Sequence, residues 1–127
     1  MLMPFLFIAP TEKRGRGVFT NETIPANTII EISPVIVMSS EDRSTLDKTL
    51  LHDYIFEWGE DNSKCCMSLG YVPIYNHASP SNCEYDMDFE NDLIRIKTVR
   101  DIAAGEELFI NYNGDWDDAR EVWFQLK

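Results

Sequence analysis

Three short stretches of this 127-residue chain hold side chains in patterns that could do chemistry. In "YNHASPSN", Asn76 and His77 are closely followed by Pro80 and Asn82. An Asn side chain both donates and accepts, and a His offers two ring nitrogens, so this stretch could ligate a metal, serve a nucleophile as its base, or cradle a cofactor. In "KRGRGVF", Gly15 and Gly17 flank Arg16, which lets the backbone approach a ligand closely. In "GEELFINYNG", Leu108, Ile110 and Tyr112 alternate along one face and end in a tyrosine beside a glycine. Each stretch also has an ordinary reading: a polar turn with a structural His, a hairpin turn, and a core Tyr at a strand end.

Several chemistries find no support. His52 and His77 lie far apart, neither belongs to an HxxxH pair, and Cys65, Cys66 and Cys83 show no CxxC spacing, so a metal site is not indicated. The same cysteine usage argues against a disulfide framework and suits a reducing compartment. No GxSxG is present for a serine nucleophile. Cys83 paired with His77 would need a helix N-terminus to acidify the thiol, and no such helix is evident. The GRG stretch lacks the third glycine and the helix of a dinucleotide fingerprint. A net charge of −11 disfavours nucleic acid and favours a basic protein or peptide as partner, although many soluble proteins are acidic for solubility alone.

The elements that must position these residues are mostly short strands. Phe5–Ile8 reads as a strand rather than a signal peptide, since it lacks a basic n-region and a small-residue cleavage site. No apolar stretch reaches membrane-spanning length, which leads to the expectation of a soluble, intracellular protein. Thr28–Ile32 and Val35–Met38 read as two strands flanking Pro34, and Ser39 begins a break with helix N-cap character. Leu46, Leu50, Tyr54 and Trp58 recur every fourth residue, which predicts a helix that could end as a strand. Tyr85, Met87 and Phe89 alternate with acids, and Ile94 and Ile96 with Arg95 and Lys97. A tight turn at Asn91-Asp92 then predicts a hairpin with Asp88 opposite Arg95 and Met87 opposite Ile96. "TIPANTIIEI" and "DIAAGEELFI" echo each other around Asn27 and Gly105, two residue types that tolerate a positive φ. The hydrophobic fraction of 44 % and the absence of a linker point to one globular domain over residues 1–127, closing with an amphipathic helix over 115–127.

Taken in order and spacing, the three stretches resemble the SET domain of protein-lysine methyltransferases. GRG resembles the first cofactor motif of that family, "YNHASPSN" its NHSxxPN motif, and "GEELFINY" its GEEL motif with the tyrosine that ends the following strand. "SLGYVPIYNHA" is similar to segments of small bacterial members, and "IPANTIIEISPVIV" and "VRDIAAGEEL" are typical of the family. The resemblance covers about residues 5–117 and implies a small single-domain SET protein of bacterial or viral type. Its fold would be mainly β, a β-clip of several short curved sheets with short helices and a knot-like threaded C-terminal segment. The cofactor would be S-adenosylmethionine, leaving S-adenosylhomocysteine. Gly15, Arg16 and Gly17 would hold its methionine part, Asn76 its amino group and the His77 backbone its adenine. Tyr54 would be a further contact, and Trp116 would lie over the adenine or close the site. Tyr112 matches the catalytic tyrosine, and Tyr85, Ile110 and Phe56 would line the channel for the substrate lysine.

The resemblance also has departures. Ala78 replaces a Ser, Pro80-Ser81 transposes the usual order, Asn111 stands for Asp, and Ile110 stands where several members carry an aromatic residue that sets the number of methyl groups added. Cysteine-rich flanks are missing, so substrate contacts would come from elsewhere, for example a second copy of the chain in a homodimer. The implied substrate is a basic protein such as a histone or histone-like protein, with no direct binding to nucleic acid or membrane. The setting would be cytoplasm in a bacterium, or nucleus and chromatin for a viral or eukaryotic protein. The rival reading is a catalytically silent SET-like module that docks a basic peptide.

Overall fold

A computed structural model describes residues 1–119 of the chain. It contains strands β1 (Leu6–Pro10), β2 (Arg16–Thr20), β3 (Ile29–Met38), β4 (Phe56–Trp58), β5 (Lys64–Ser68), β6 (Asn76–His77), β7 (Cys83–Asp88), β8 (Leu93–Thr98) and β9 (Glu107–Ile110). One α-helix, α1 (Ser40–Leu46), and two 3-10 turns, Leu50–Asp53 and Val72–Ile74, complete it. The strands form a four-stranded sheet in the order β1-β2-β9-β6 and a five-stranded sheet in the order β4-β5-β3-β8-β7. The expectation of a mainly β fold of short curved sheets is met. The core lies between the sheets, where Val18, Ile30, Ile94, Ile96, Leu108 and Ile110 are fully buried. In β8 and β9 the inward residues alternate with Arg95, Lys97, Glu107 and Phe109, the period-two pattern of a half-buried strand.

Several local expectations are corrected. The two strands predicted around Pro34 are one continuous strand, β3. Ile29–Pro34 pairs with β8 and Val35–Met38 with β5, so the proline, which lacks an N–H, sits where the strand changes partners. The hairpin keeps the predicted faces but slips by two residues: Met87 opposes Ile94 and Asp86 opposes Arg95. A slip of two preserves which side each residue faces. Its cause is a four-residue turn, Phe89–Asp92, closed by the Asp88 carboxylate, which accepts from the backbone N–H groups of Glu90 (3.1 Å) and Asn91 (3.0 Å). Arg95 still reaches Asp88 at 2.8 Å, and Asp86 at 2.9 Å.

The helix begins earlier than the four-residue spacing suggests. Ser39 caps it by accepting from the Asp42 N–H. Leu50 is 75 % exposed, so the periodic residues had no common buried face to hold them in a helix, and Phe56–Trp58 pairs with β5 instead. The two echoing segments share the expected positive φ, 61° at Asn27 and 90° at Gly105, and they also bond to each other: Ile24 and Ile102 exchange backbone hydrogen bonds of 2.9 and 2.8 Å. Residues 115–119 form turns and irregular chain, and the rest of the C-terminal helix expected over 115–127 lies outside the described residues. Among the described residues no helix is long and apolar enough to cross a membrane.

Candidate cofactor and substrate site

The site is built around the Asn76-His77 strand. β6 runs parallel to β9, with Asn76 beside Phe109 and His77 beside Ile110. The chain after it is held on its other side by the segment following β9. The Ser81 N–H donates to the Trp116 carbonyl at 2.8 Å, and the Ser79 hydroxyl donates to the Asp118 carbonyl at 2.7 Å. Asn111, 1 % exposed, closes that segment on itself: its amide nitrogen donates to the carbonyls of Trp116 (3.4 Å) and Asp118 (2.7 Å), and its amide oxygen accepts from the Asn113 N–H (3.0 Å). Residues 78–82 are thus enclosed between β9 and the C-terminal turn, the threaded arrangement expected. Asn82 continues β9's ladder with a side chain, donating to the Glu107 carbonyl at 2.9 Å and accepting from the Phe109 N–H at 2.7 Å.

Threading brings β2, β6 and β9 to one corner. The Asn76 amide nitrogen donates to the Arg16 carbonyl (3.0 Å) and to Glu107 Oε2 (2.8 Å). Both amide hydrogens are then engaged, and Oδ1 is the acceptor left over among the described residues. Gly17 lets these side chains sit close to β2: a Cβ would stand 2.3 Å from Glu107 Oε2 and 3.0 Å from Asn76 Nδ2, and both would have to shift. This acceptor-rich corner, with a carboxylate, an amide oxygen and main-chain carbonyls, fits a cationic amino group. The His77 carbonyl accepts from the Arg14 guanidinium, which also lies 5.8 Å from the centroid of the Phe109 ring. Phe109 and Trp116 share a groove of about 320 Å³ with Pro80 and Arg100.

Tyr112 follows β9 and packs against β6 and the residue before it. Its hydroxyl donates to the Tyr75 carbonyl at 2.6 Å, its N–H donates to His77 Nδ1 at 3.0 Å, and its ring stands 5.2 Å from the His77 ring. The Tyr85 hydroxyl reaches the Tyr112 carbonyl at 3.5 Å, and the Tyr85 ring meets Phe56 edge-on at 5.6 Å. Phe56, Tyr85 and Tyr112 pack on the core cluster that contains Ile110, which is fully buried. β4 and β7 are the two edges of the five-stranded sheet, and this aromatic pair draws them together. A second pair joins Trp58 of β4 to Phe89, in the turn after β7, at 4.8 Å.

Burial sets the protonation states. It pushes the Tyr112 phenol well above the ordinary phenol range, partly opposed by Arg14, and it pushes Tyr85 up to about 12. Both stay neutral, so Tyr112 serves as a hydrogen-bonding hydroxyl and not as a standing base. Burial, assisted by Arg14, lowers the His77 pKa and leaves Nδ1 free to accept. Burial also raises the Cys83 thiol to about 12, which removes it as a nucleophile.

The structure therefore gathers Arg16, Gly17, Asn76 and His77 at one corner, and Phe56, Tyr85 and Tyr112 at the adjoining one. Gly15, at φ +68°, makes the turn into β2, with open space where a Cβ would stand. Tyr54, half-buried at the end of the Leu50–Asp53 turn, is close enough to Tyr112 to affect its titration. Trp116, 40 % exposed, stands with Phe109 rather than with Tyr112. Sequence reading missed Arg14, Tyr75, Glu107 and Phe109 as site residues, although each lies inside or beside a stretch singled out there. Their contacts depend on which strands become neighbours.

The SET-domain pattern matches residues 15–113. A histone-lysine N-methyltransferase of Schizosaccharomyces pombe, specific for H3 lysine-37, is 40 % identical over 121 residues, covering 94 % of this chain and 77 % of that protein. One of Cryptococcus neoformans, specific for H3 lysine-36, is 32 % identical over 113 residues, or 83 % of this chain and 14 % of that much longer protein. Among solved structures, a candidate histone methyltransferase of Plasmodium falciparum superposes with a TM-score of 0.68 at 27 % identity, covering 91 % of this chain and 98 % of that one. A chain of an inhibitor-bound, humanized Polycomb Repressive Complex 2 from Chaetomium thermophilum gives 0.71 at 21 % identity over 88 % of this chain and 15 % of that one, a likeness of fold alone. With a family match over most of its length and a relative 40 % identical over 94 % of it, this chain belongs to the SET-domain family.

Proposed function

We propose that this chain is a protein-lysine N-methyltransferase that uses S-adenosylmethionine and acts on a lysine of a basic protein, with a histone H3 tail as the substrate class suggested by its relatives. The observation that carries the reading is the convergence of the Tyr112 hydroxyl on the Tyr75 carbonyl, one residue before Asn76-His77. That contact supports a reading in which the reacting end of an aromatic channel adjoins the wall of the cofactor cradle. Nothing favours the silent-module alternative.

The cofactor, when bound, supplies a methyl group on a positively charged sulfur. Its amino group would meet Asn76 Oδ1 and the Glu107 carboxylate beside Gly17. Its adenine would lie toward the His77 carbonyl, where Arg14 turns aside or shares that acceptor, between Phe109 and Trp116. The substrate lysine must arrive as a neutral amine. Phe56, Tyr85 and Tyr112 disfavour its charged form by excluding water, and the proton leaves to solvent. The Tyr112 hydroxyl, donating to the Tyr75 carbonyl, keeps its oxygen lone pairs toward the ammonium that develops. The aromatic faces add about 0.5–2 kcal/mol per contact. Most of the acceleration comes from holding the two reactants in line.

A basic substrate also suits the outside of the molecule. Beyond the aromatic pair, a groove of about 600 Å³ is lined by Trp58, Phe89 and the carboxylates of Glu60, Asp61 and Asp92, with Lys64 the one basic residue among the described lining residues. Such a groove would rest the substrate's flanking cations, and chromatin is the matching location. The test is calorimetric titration with S-adenosylmethionine, followed by radiolabelled methyl transfer to histones. Saturation at one site per chain with transfer supports the reading. Binding without transfer to any basic protein would return the silent module to consideration, and absence of binding would overturn the cradle.

A further inference from the structure

We infer that Glu31 is a positioning residue for Tyr112, acting through Tyr75. Glu31 lies in β3 and is fully buried, and no ion pair to it is present among the described residues. Its carboxylate instead collects three donors. Oε2 accepts from the Ser33 hydroxyl at 2.6 Å and the Tyr71 N–H at 2.8 Å, and Oε1 accepts from the Tyr75 hydroxyl at 2.9 Å. Gly70, at φ +70°, comes so close that a Cβ there would stand 2.4 Å from both Glu31 Oε2 and Ser33 Oγ. A buried carboxyl without a cation beside it is retained only where its oxygens are well satisfied. An apolar residue could fill this space, but only a carboxylate accepts from a phenol, a hydroxyl and a main-chain N–H together.

Tyr75 connects this group to the site. It is 1 % exposed, so its side chain is fixed at one end by Glu31 and along its length by the core. Its carbonyl, at the other end of the residue, is the acceptor of the Tyr112 hydroxyl at 2.6 Å. The next residue, Asn76, starts the strand that builds the cradle. Glu31, Tyr75 and Tyr112 thus form a strut from the middle of the five-stranded sheet to the hydroxyl at the channel end. Since rate depends on alignment to a fraction of an ångström, the strut sets turnover more than it sets cofactor affinity. The consequence for turnover rests on the methyl-transfer reading; the positional link itself does not.

Three variants test it: Tyr75→Phe and Glu31→Gln, which break the strut, and Ser33→Ala, which removes the hydroxyl donor on the other carboxylate oxygen and leaves Tyr75 held. Turnover is measured on a basic protein, cofactor affinity by calorimetry, and the Tyr112 ring environment by NMR of 13Cζ-tyrosine-labelled protein. Tyr75→Phe and Glu31→Gln are expected to shift the Tyr112 signal and lower kcat about tenfold with cofactor affinity little changed. The double variant is expected to be no worse than the poorer single one, since both break one connection. Ser33→Ala is expected to lower the melting temperature while leaving kcat and the Tyr112 signal as they are. An unmoved Tyr112 signal in folded Tyr75→Phe and Glu31→Gln proteins, or an equal shift in Ser33→Ala, would overturn the inference. The NMR reading needs no turnover, so an inactive wild-type protein would count against methyl transfer and not against the strut. If Glu31→Gln does not fold, Tyr75→Phe, which loses one oxygen atom, decides.

Discussion

The hydroxyl of Tyr112 and the ring of His77 divide the work at the residue scale. Tyr112 is held protonated by burial and hydrogen-bonded to a carbonyl, so Tyr112→Phe keeps the ring's packing and removes the hydroxyl alone. Turnover is expected to fall about a hundredfold or more, the scale of losing one well-placed polar group, with cofactor affinity retained. Activity near that of wild type in steady-state assays would remove Tyr112 from its role. Asn76→Ala is expected to weaken cofactor binding by about 1–3 kcal/mol, because an amino group loses its acceptor in a desolvated site. Calorimetry reads this directly, and an unchanged constant would dismiss the cradle. His77 gives a pH signature. Its pKa is lowered by burial and by Arg14, so the unfolded chain takes up the proton first as pH falls. The stability it contributes is complete above about 6.5 and is lost as pH falls through the lower folded value. Melting curves of wild type and His77→Asn across this range should diverge on the acid side, and parallel curves would show that His77 is not linked to stability.

At the scale of elements, Asn111 explains a departure from the family pattern. Its amide nitrogen faces two carbonyls, which only a donor can satisfy. Asn111→Asp would set a buried carboxylate against those carbonyls and is expected to destabilise the fold by about 1–3 kcal/mol, measurable by denaturant titration. Ordinary stability in that variant would mean that the C-terminal turn is held by other bonds. The same scale shows what a linear reading captures. The faces of β7 and β8 were legible because alternation has a period of two, whereas their register depended on how many residues the Asp88 carboxylate drew into the turn. The helix was misplaced because regular spacing indicates a face only where a core exists to receive it, and neither α1 nor the Leu50–Asp53 turn buries a residue.

For the whole molecule, charge and shape point to the same partner. A net charge of −11 attracts cations at long range, and the groove at Trp58 and Phe89 concentrates carboxylates on one face. Glu60→Lys combined with Asp92→Asn tests this, since Asn tolerates the positive φ of 52° at that position. The KM for a basic peptide is expected to rise severalfold at low salt, with the difference fading as ionic strength grows and cofactor affinity constant. An unchanged KM would place substrate recognition elsewhere on the surface.

The amino-acid sequence determined the kinds of groups available. It supplied Gly17 where a Cβ would crowd Glu107 and Asn76, an Asn-His pair, a tyrosine ending an alternating strand, and a net charge of −11. These were readable because residue type and local spacing already carry their chemistry. Only the tertiary structure decided which groups meet. Parallel pairing of β6 with β9 brought residues about thirty positions apart within hydrogen-bonding distance, as between Asn76 and Glu107. The curl of the five-stranded sheet joined its edge strands through an aromatic pair. Burial then set the charge states of Tyr112, His77 and Cys83. Proximity and desolvation belong to the packed chain, so no reading along the sequence could supply them.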